Sequence, residues 1–153
     1  MASKIFSAEN STGAAQEQAI FLCRSYFAHR GLKVEDSMWH SSEAAPVIVA
    51  EDDGETVLID VRAAEAEDSE AVPELHISEH DIRTMRRACL SYLLEHEDTD
   101  SIRHDVCAVS IVGKNHARIR HLVAVCRWDG TCWASNSTAR RQSRAAGRYD
   151  QRP

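Results

Sequence analysis

An aspartate and an arginine, Asp60 and Arg62, lie one residue apart at the end of an otherwise apolar run of β-branched residues. Side chains at positions i and i+2 of a β-strand project from the same face, so this acid and this base are expected to lie side by side. A carboxylate is a ligand for a divalent metal ion, and a guanidinium can hold a phosphate by two hydrogen bonds. The pair therefore has the chemistry of a phosphate-binding or phosphate-cleaving site, and a plain strand-end ion pair is the alternative.

The pair belongs to a predicted β-hairpin at residues 46–62, PVIVAEDDGETVLIDVR. Asp53 and Gly54 separate the two apolar runs and form a dipeptide that favours two-residue hairpin turns. Both runs are nearly continuous in apolar residues, which predicts strands buried on both faces in the middle of a sheet. Four acids bracket the turn, and we interpret them as solvated turn residues and not as a metal cluster: Glu51, Asp52, Asp53 and Glu55.

Two helices are predicted around this hairpin. Residues 14–30 carry apolar side chains at helical spacing, and Gly31 is placed to end the helix. The second helix is predicted to begin at Ser78, because Ser78 and Asp81 have the spacing of a capping box. Ile77 and Ile82 have the spacing of a hydrophobic staple at the same end.

The remaining segments complete the predicted fold. Residues 32–39 favour a short strand, and the acidic segment 63–76 is predicted to be a solvated loop. The runs 105–112 and 117–125 predict a second hairpin around residues 113–115. Helix, three strands, helix and two strands predict an α/β or α+β domain with one mixed sheet and the topology αβββαββ.

The length and charge of the chain predict its domain organisation. A chain of 153 residues has room for one domain, which we assign to residues 14–128, between a flexible segment 1–13 and a basic tail 129–153. The last twenty residues hold five arginines and one aspartate, a net charge of +4. Since the whole chain has a net charge of −6, residues 1–133 have a net charge of −10. No apolar run is long enough for a signal peptide or a membrane span. The number of cysteines, five, is odd, so they do not form a complete set of disulfides. Both observations favour a cytoplasmic protein.

The chain resembles the YraN family, bacterial proteins related to restriction-endonuclease-like and Holliday-junction-resolvase-like nucleases. The resemblance covers residues 14–125 and rests on four pieces in the same order: the hairpin from VIVA to LIDVR, the helix segment MRRACLSYLL, and the strands IRHDVCAVSIV and ARIRHLVAV. It implies a single restriction-endonuclease-like domain, with a central mixed sheet flanked by helices.

The resemblance also implies where a nuclease site would lie. In the family, the first hairpin strand carries a Gly-Glu-Ile-Asp-Leu pattern and the second ends in Val-Glu-Val-Lys. The family's first-strand Glu and Asp fall on Ala45 and Val47, its second-strand Glu falls on Asp60, and its Lys falls on Arg62. The remnant catalytic pair is therefore Asp60 and Arg62. Because valine cannot bind a metal and arginine stays protonated, this pattern predicts a degenerate site that needs no cofactor.

Three functions remain open at this stage. The preferred one is binding of branched or single-stranded DNA, or of RNA, through a set of arginines: Arg62, Arg83, Arg86, Arg87, Arg140 and Arg141. The second is an active endonuclease that uses Mg²⁺ or Mn²⁺ with Asp60 and a substitute acid such as Glu43 or Glu51. The third is a protein-interaction module, which the acidic body of the chain favours. A zinc site at His121, Cys126 and Cys132 is disfavoured, because a fourth ligand is undefined.

Overall fold

The structure is a computed structural model, and it describes residues 5–6, 13–42, 44–65, 74–112 and 116–128. In chain order the elements are β1 (Ile5–Phe6), α1 (Gly13–His29), β2 (Lys33–Trp39), β3 (Val47–Asp52), β4 (Glu55–Glu65), β5 (Glu74–Leu75), α2 (Glu79–Glu95), β6 (Ile102–Ile111) and β7 (Ala117–Trp128). Five strands form one mixed sheet in the order β2-β3-β4-β6-β7, and β1 pairs with β5 separately. The predicted α+β class and the order αβββαββ are confirmed, and the short β1 and β5 are additional.

Several predicted segments fall outside the described residues. They are most of the N-terminal segment 1–13, residue 43, the turn at 113–115 and the whole of the tail 129–153. The predicted boundaries of the domain stay predictions. Neither of the two helices in the described part of the chain has the length and apolar character needed to cross a bilayer.

The predicted hairpin is present as β3 and β4. Asp52 pairs with Glu55 across the turn, and Asp53 and Gly54 both have positive φ angles, of 51° and 84°. Positive φ at both central residues gives the turn a twist that matches the strands on either side. The apolar residues of β3, and those of β4 from Val57 to Ala63, are buried, as their continuous runs predicted.

The predicted loop at 63–76 is partly wrong. Strand β4 continues to Glu65, and Glu74 and Leu75 form β5, while residues 66–73 lie outside the described part. The reason is the partner of β4, because β6 runs parallel to it from the pair of Thr56 with Ile102 to the pair of Glu65 with Ile111. A long-range ladder of this kind supplies backbone hydrogen bonds that no local sequence signal announces.

The two helices cover opposite faces of the sheet. Helix α1 buries Ala15, Ala19, Cys23 and Phe27 against one face. Helix α2 buries Met85, Ala88, Cys89 and Tyr92 against the other. Strand β6 lies between β4 and β7, and all ten of its residues are buried as a result. Because α1 and α2 lie on different faces, the polar residues of β6 are separated into two clusters.

The beginning of α2 is the one that the sequence predicted. Ser78 is the N-cap, its Oγ accepts a hydrogen bond from the Asp81 backbone N–H, and the Asp81 carboxylate accepts from the Ser78 backbone N–H. This reciprocal capping box satisfies backbone donors that the first turn of a helix leaves unpaired. The staple residues Ile77 and Ile82 pack against the same core cluster.

Strand β7 contains an irregularity that holds an alanine in a left-handed conformation. His104 pairs with Cys126 and Val106 with Leu122, so three residues of β7 lie opposite the single residue Asp105. Ala124 is in the middle of this bulge and has a φ angle of 54°. A left-handed conformation costs an ordinary L-residue about 1–2 kcal/mol, which glycine avoids.

We therefore expect Ala124→Gly to raise the free energy of unfolding by about 0.5–1 kcal/mol, since relief of the strain outweighs the greater flexibility of glycine in the unfolded chain. Equilibrium denaturation in urea measures this change. The matched control is Ala117→Gly in the same strand, where φ is negative and the same substitution should lower stability. A loss of stability in both variants would contradict the strain at Ala124.

Candidate functional site

Asp60 and Arg62 do lie side by side, on the face of β4 that α2 covers. Arg62 Nε donates to Asp60 Oδ2 at 3.0 Å, and Arg62 Nη2 donates to Asp81 Oδ1 at 3.0 Å. Its Nη1 donates to the His76 carbonyl at 3.4 Å. The Arg62 side chain is only 6% exposed, whereas the two carboxylates are 26% and 29% exposed. The guanidinium is thus enclosed between two acids and joins the middle of the sheet to the beginning of α2.

Asp81 has two tasks in this arrangement. One of its oxygens accepts from the Ser78 backbone N–H and Oγ at 2.8 and 2.7 Å, and the other accepts from Arg62. Burial alone would raise the pKa of Asp81, but the hydrogen bonds from Ser78 and the charge of Arg62 outweigh it and lower the pKa. Asp81 therefore stays ionised, and the N-cap and the ion pair stabilise each other.

The position beside Asp60 on the neighbouring strand holds no acid. Ile48 pairs with Ile59, and so Val47 lies next to Asp60 at the adjoining position. Val47 is buried among apolar side chains of β3, β4 and α2. Glu51, a proposed substitute ligand, is at the opposite end of β3 and forms an ion pair with Lys33 at 2.8 Å. Glu43 is outside the described residues, and among those that are described no three His, Cys, Asp or Glu side chains group in a way that could hold a metal ion.

His104 lies on the same face, opposite Leu58 on β4. Its side chain is buried, and its Nδ1 donates to the Asp105 carbonyl at 3.1 Å. Burial lowers the pKa of His104, against the opposing effect of Asp60. This histidine is a neutral, hydrogen-bonded core residue.

A second polar cluster, which the sequence interpretation missed, is centred on Asp105 under α1. The Asp105 side chain is fully buried and accepts hydrogen bonds from three residues: from Arg103 Nε and Nη2 at 3.0 and 3.2 Å, from His121 Nε2 at 2.8 Å and from the Ala124 backbone N–H at 2.7 Å. His121 in turn packs edge-on against the Phe27 ring, with centroids 4.9 Å apart. The carboxylate thus fixes the bulge of β7 and orients the histidine that faces α1.

Arg103 connects this cluster to the hairpin turn. Its Nη1 lies 2.9 Å from Asp52 Oδ2 and 3.2 Å from Glu55 Oε1, and Arg127 also binds Glu55 at 3.0 Å. Two of the acids interpreted as solvated turn residues therefore hold a buried arginine. The sequence contained a signal for the Arg103–Asp105 ion pair. Like Asp60 and Arg62, these two residues lie one residue apart in a strand, but here the base comes before the acid.

The geometry also bears on the zinc alternative. His121 faces α1, where it contacts Phe27, whereas the Cys126 thiol faces α2 and donates to the Ile82 carbonyl at 3.8 Å. Side chains on opposite faces of a sheet cannot share one tetrahedral ion. Cys132 lies outside the described residues.

No family model matches this chain, and comparison with curated proteins gives no match. Asp60 and Asp81 are both bound by the buried guanidinium of Arg62, and the described residues contain no group of three His, Cys, Asp or Glu side chains there that could hold a metal ion.

The arginines that the sequence predicted to contact nucleic acid lie in different environments. Arg62 is enclosed, and in this conformation it reaches no phosphate without leaving Asp60 and Asp81. Arg83 and Arg87 are exposed on the outer side of α2, and Arg86 is partly buried beside Cys126. Arg87 lines an open cleft of about 320 Å³ between α2 and the residues Ser41, Ser42 and Ala44. The remaining predicted contacts, Arg140 and Arg141, are in the undescribed tail.

Proposed function

We propose that this chain is a nucleic-acid-binding protein that does not hydrolyse its ligand and that is built on a YraN-like domain of the restriction-endonuclease-like type. The observation that carries the proposal is the closed cluster of Asp60, Arg62 and Asp81 with Val47 beside it. Hydrolysis of a phosphodiester by metal-dependent enzymes needs carboxylates that are free to hold an ion and aim a water. Here the available carboxylates serve to stabilise a buried guanidinium instead.

The arrangement of elements supports the kinship. The order αβββαββ follows the order of the segments that resemble the family. The register also brings Val47 next to Asp60, which is where a pair of metal-binding acids would have to meet. The free thiols of the four described cysteines fit a reducing, cytoplasmic compartment.

The outer side of α2 is the proposed contact surface within the described residues. Its two exposed arginines, Arg83 and Arg87, are one helical turn apart, so both guanidinium groups can approach one phosphate backbone. The arginines of the tail would extend that contact. Single-stranded DNA, branched DNA and RNA are the proposed ligands, since a small basic surface with a charged tail follows a flexible backbone more readily than it recognises a base sequence.

Binding of labelled single-stranded, duplex and four-way-junction DNA, and of single-stranded RNA, tests this proposal. Affinity should fall steeply as salt is raised, and Arg83→Gln/Arg87→Gln should weaken binding about tenfold and reduce the salt slope by about 2, one per lost phosphate contact. The control is Arg24→Gln/Arg30→Gln, which removes one charge from α1 and one from the turn that follows it. Absence of binding at low salt, or an equal loss in the control, contradicts the proposal.

Cleavage is measured in the same samples with Mg²⁺ or Mn²⁺ present. We expect none. Metal-dependent cleavage that Asp60→Asn abolishes would instead establish the endonuclease alternative.

A protein-interaction module is the second candidate, and one observation favours it. Leu90 and Leu94 are one turn apart on the outer side of α2, with exposed fractions of 45% and 81%. Exposed leucines beside arginines are typical of a protein-binding helix as well. If the chain binds no nucleic acid, a protein partner whose affinity falls with Leu90→Ser/Leu94→Ser would establish this candidate.

A further inference from the structure

We propose that Cys23 and Cys107 form a reversible disulfide that joins α1 to β6. The two sulfur atoms are 3.1 Å apart, and 84 positions separate the residues along the chain. Both side chains are fully buried in the core cluster under α1. This inference does not depend on the proposed function.

The geometry suits a covalent bond. A disulfide has a sulfur–sulfur length of about 2.05 Å, so the two atoms need to approach by about 1 Å. They already point at each other from two facing elements, and the thiols form a hydrogen bond with one another. The neighbours of Cys23 along the buried stripe, Ala19 and Phe27, leave the α1 side of this contact apolar.

The same surroundings control when the bond can form. The hydrogen bond with Cys107 and burial in the core both raise the pKa of Cys23, so the closed protein holds a neutral and unreactive thiol. Oxidation therefore requires α1 to open from the sheet for a moment, which exposes both sulfurs. The reaction is therefore slow under mild conditions, and a thiol reductant reverses it.

The chemistry is a pair of thiol–disulfide exchanges with a low-molecular-weight disulfide such as oxidised glutathione. One cysteine thiolate attacks a sulfur of that disulfide, and the first glutathione leaves as a thiolate that takes up the lost proton. The second cysteine then attacks the mixed disulfide, and the second glutathione leaves in the same way. The protein loses two protons and two electrons, and one glutathione disulfide becomes two thiols.

The consequence is a helix that can no longer leave the sheet. A cross-link between residues so far apart removes much of the freedom of the unfolded chain. We expect the oxidised protein to unfold several degrees higher than the reduced one. Amide hydrogens of α1 should also exchange more slowly, because their exchange depends on the opening that the bond prevents.

The test uses the full chain with the other three cysteines replaced, Cys89→Ala/Cys126→Ala/Cys132→Ala. After equilibration with oxidised glutathione, the protein is unfolded and its free thiols are alkylated. The intact mass then gives the number of free thiols. We expect none, a mass lower by two hydrogens with no glutathione adduct, and a higher Tm that dithiothreitol reverses. The control carries the additional substitution Cys107→Ala and should retain one thiol or a glutathione adduct, with no rise in Tm.

Two alkylated thiols after prolonged oxidation, or a bond that lowers Tm, would overturn the proposal. If the triple variant does not fold, the natural chain is oxidised and digested, and the peptide that links Cys23 to Cys107 is sought by mass spectrometry. A linkage that joins other cysteines in that experiment contradicts the proposal equally.

Discussion

Replacement of Asp105 by asparagine is expected to lower the free energy of unfolding by about 3 kcal/mol, the largest effect of any single polar substitution in the sheet. The carboxylate is fully buried and accepts hydrogen bonds from Arg103, His121 and the backbone of Ala124. Asparagine preserves the shape but removes the charge that balances the buried guanidinium. The loss is at the lower end for a broken buried ion pair because Arg103 keeps Asp52 and Glu55.

Asp52→Asn is the matched control for this prediction. It contacts the same guanidinium at 2.9 Å, but the Asp52 side chain is 39% exposed. Water replaces an exposed partner at little cost, so the control should lose less than about 1 kcal/mol. Urea denaturation of the three proteins measures both changes. Equal losses would mean that burial of Asp105 has no special weight.

The natural chain and the Asp105→Asn variant should also differ in how their free energy of unfolding depends on pH. Burial alone would raise the pKa of Asp105, but the hydrogen bonds from His121, the Ala124 backbone and Arg103 outweigh it, so the pKa in the folded protein lies below the ordinary value. A carboxyl group with a depressed folded pKa contributes stability above its unfolded pKa and loses that contribution as pH falls through the folded pKa. The stability difference between the natural chain and Asp105→Asn should be constant near neutrality and shrink below about pH 4. A difference that does not change down to acid unfolding contradicts the assignment.

Replacement of Arg62 by methionine is expected to cost about 2–3 kcal/mol. Methionine retains most of the apolar volume, so the loss reports the charge and the hydrogen bonds. Asp60 and Asp81 would be left without their cation in a site that is only about a quarter exposed. Arg83→Met, on the exposed side of α2, is the control and should change stability by less than about 0.5 kcal/mol.

Arg62→Met also separates the two roles that the sequence allowed for this residue. If Arg62 only joins β4 to α2, the folded variant should bind nucleic acid within about twofold of the natural chain, at a temperature well below its Tm. A tenfold loss of affinity with the stability intact would assign Arg62 to the phosphate instead. Circular dichroism of the same samples ensures that the comparison is made between folded proteins.

Local signals predicted the parts of the fold that depend on neighbouring residues. The turn at Asp53 and Gly54 was predictable because the residue types themselves favour positive φ. The beginning of α2 was predictable because Ser78 and Asp81 bind each other within one turn. The proximity of Asp60 and Arg62 followed from the period of a strand.

The parts that the sequence concealed depend on distant pairing. Asp81, which binds Arg62, is nineteen positions away in α2, and no spacing rule connects the two residues. Strand β4 was predicted to end too early because its parallel partner β6 lies beyond a helix. The Asp105 cluster was missed because its members come from β6, β7 and the hairpin turn, which are far apart in the sequence. In the sequence alone, these charged residues have the pattern of ordinary surface residues.

The bulge in β7 has a consequence for encounters between copies of the protein. β7 has twelve residues, more than any other strand of the five-stranded sheet, and it lies at an edge with no further strand in the described part of the chain. A long regular edge offers unpaired backbone groups to any passing strand and is a template for aggregation. The three residues opposite Asp105 interrupt that template, and the buried carboxylate holds them in place. The acid that stabilises the core thereby also keeps the edge of the sheet from growing.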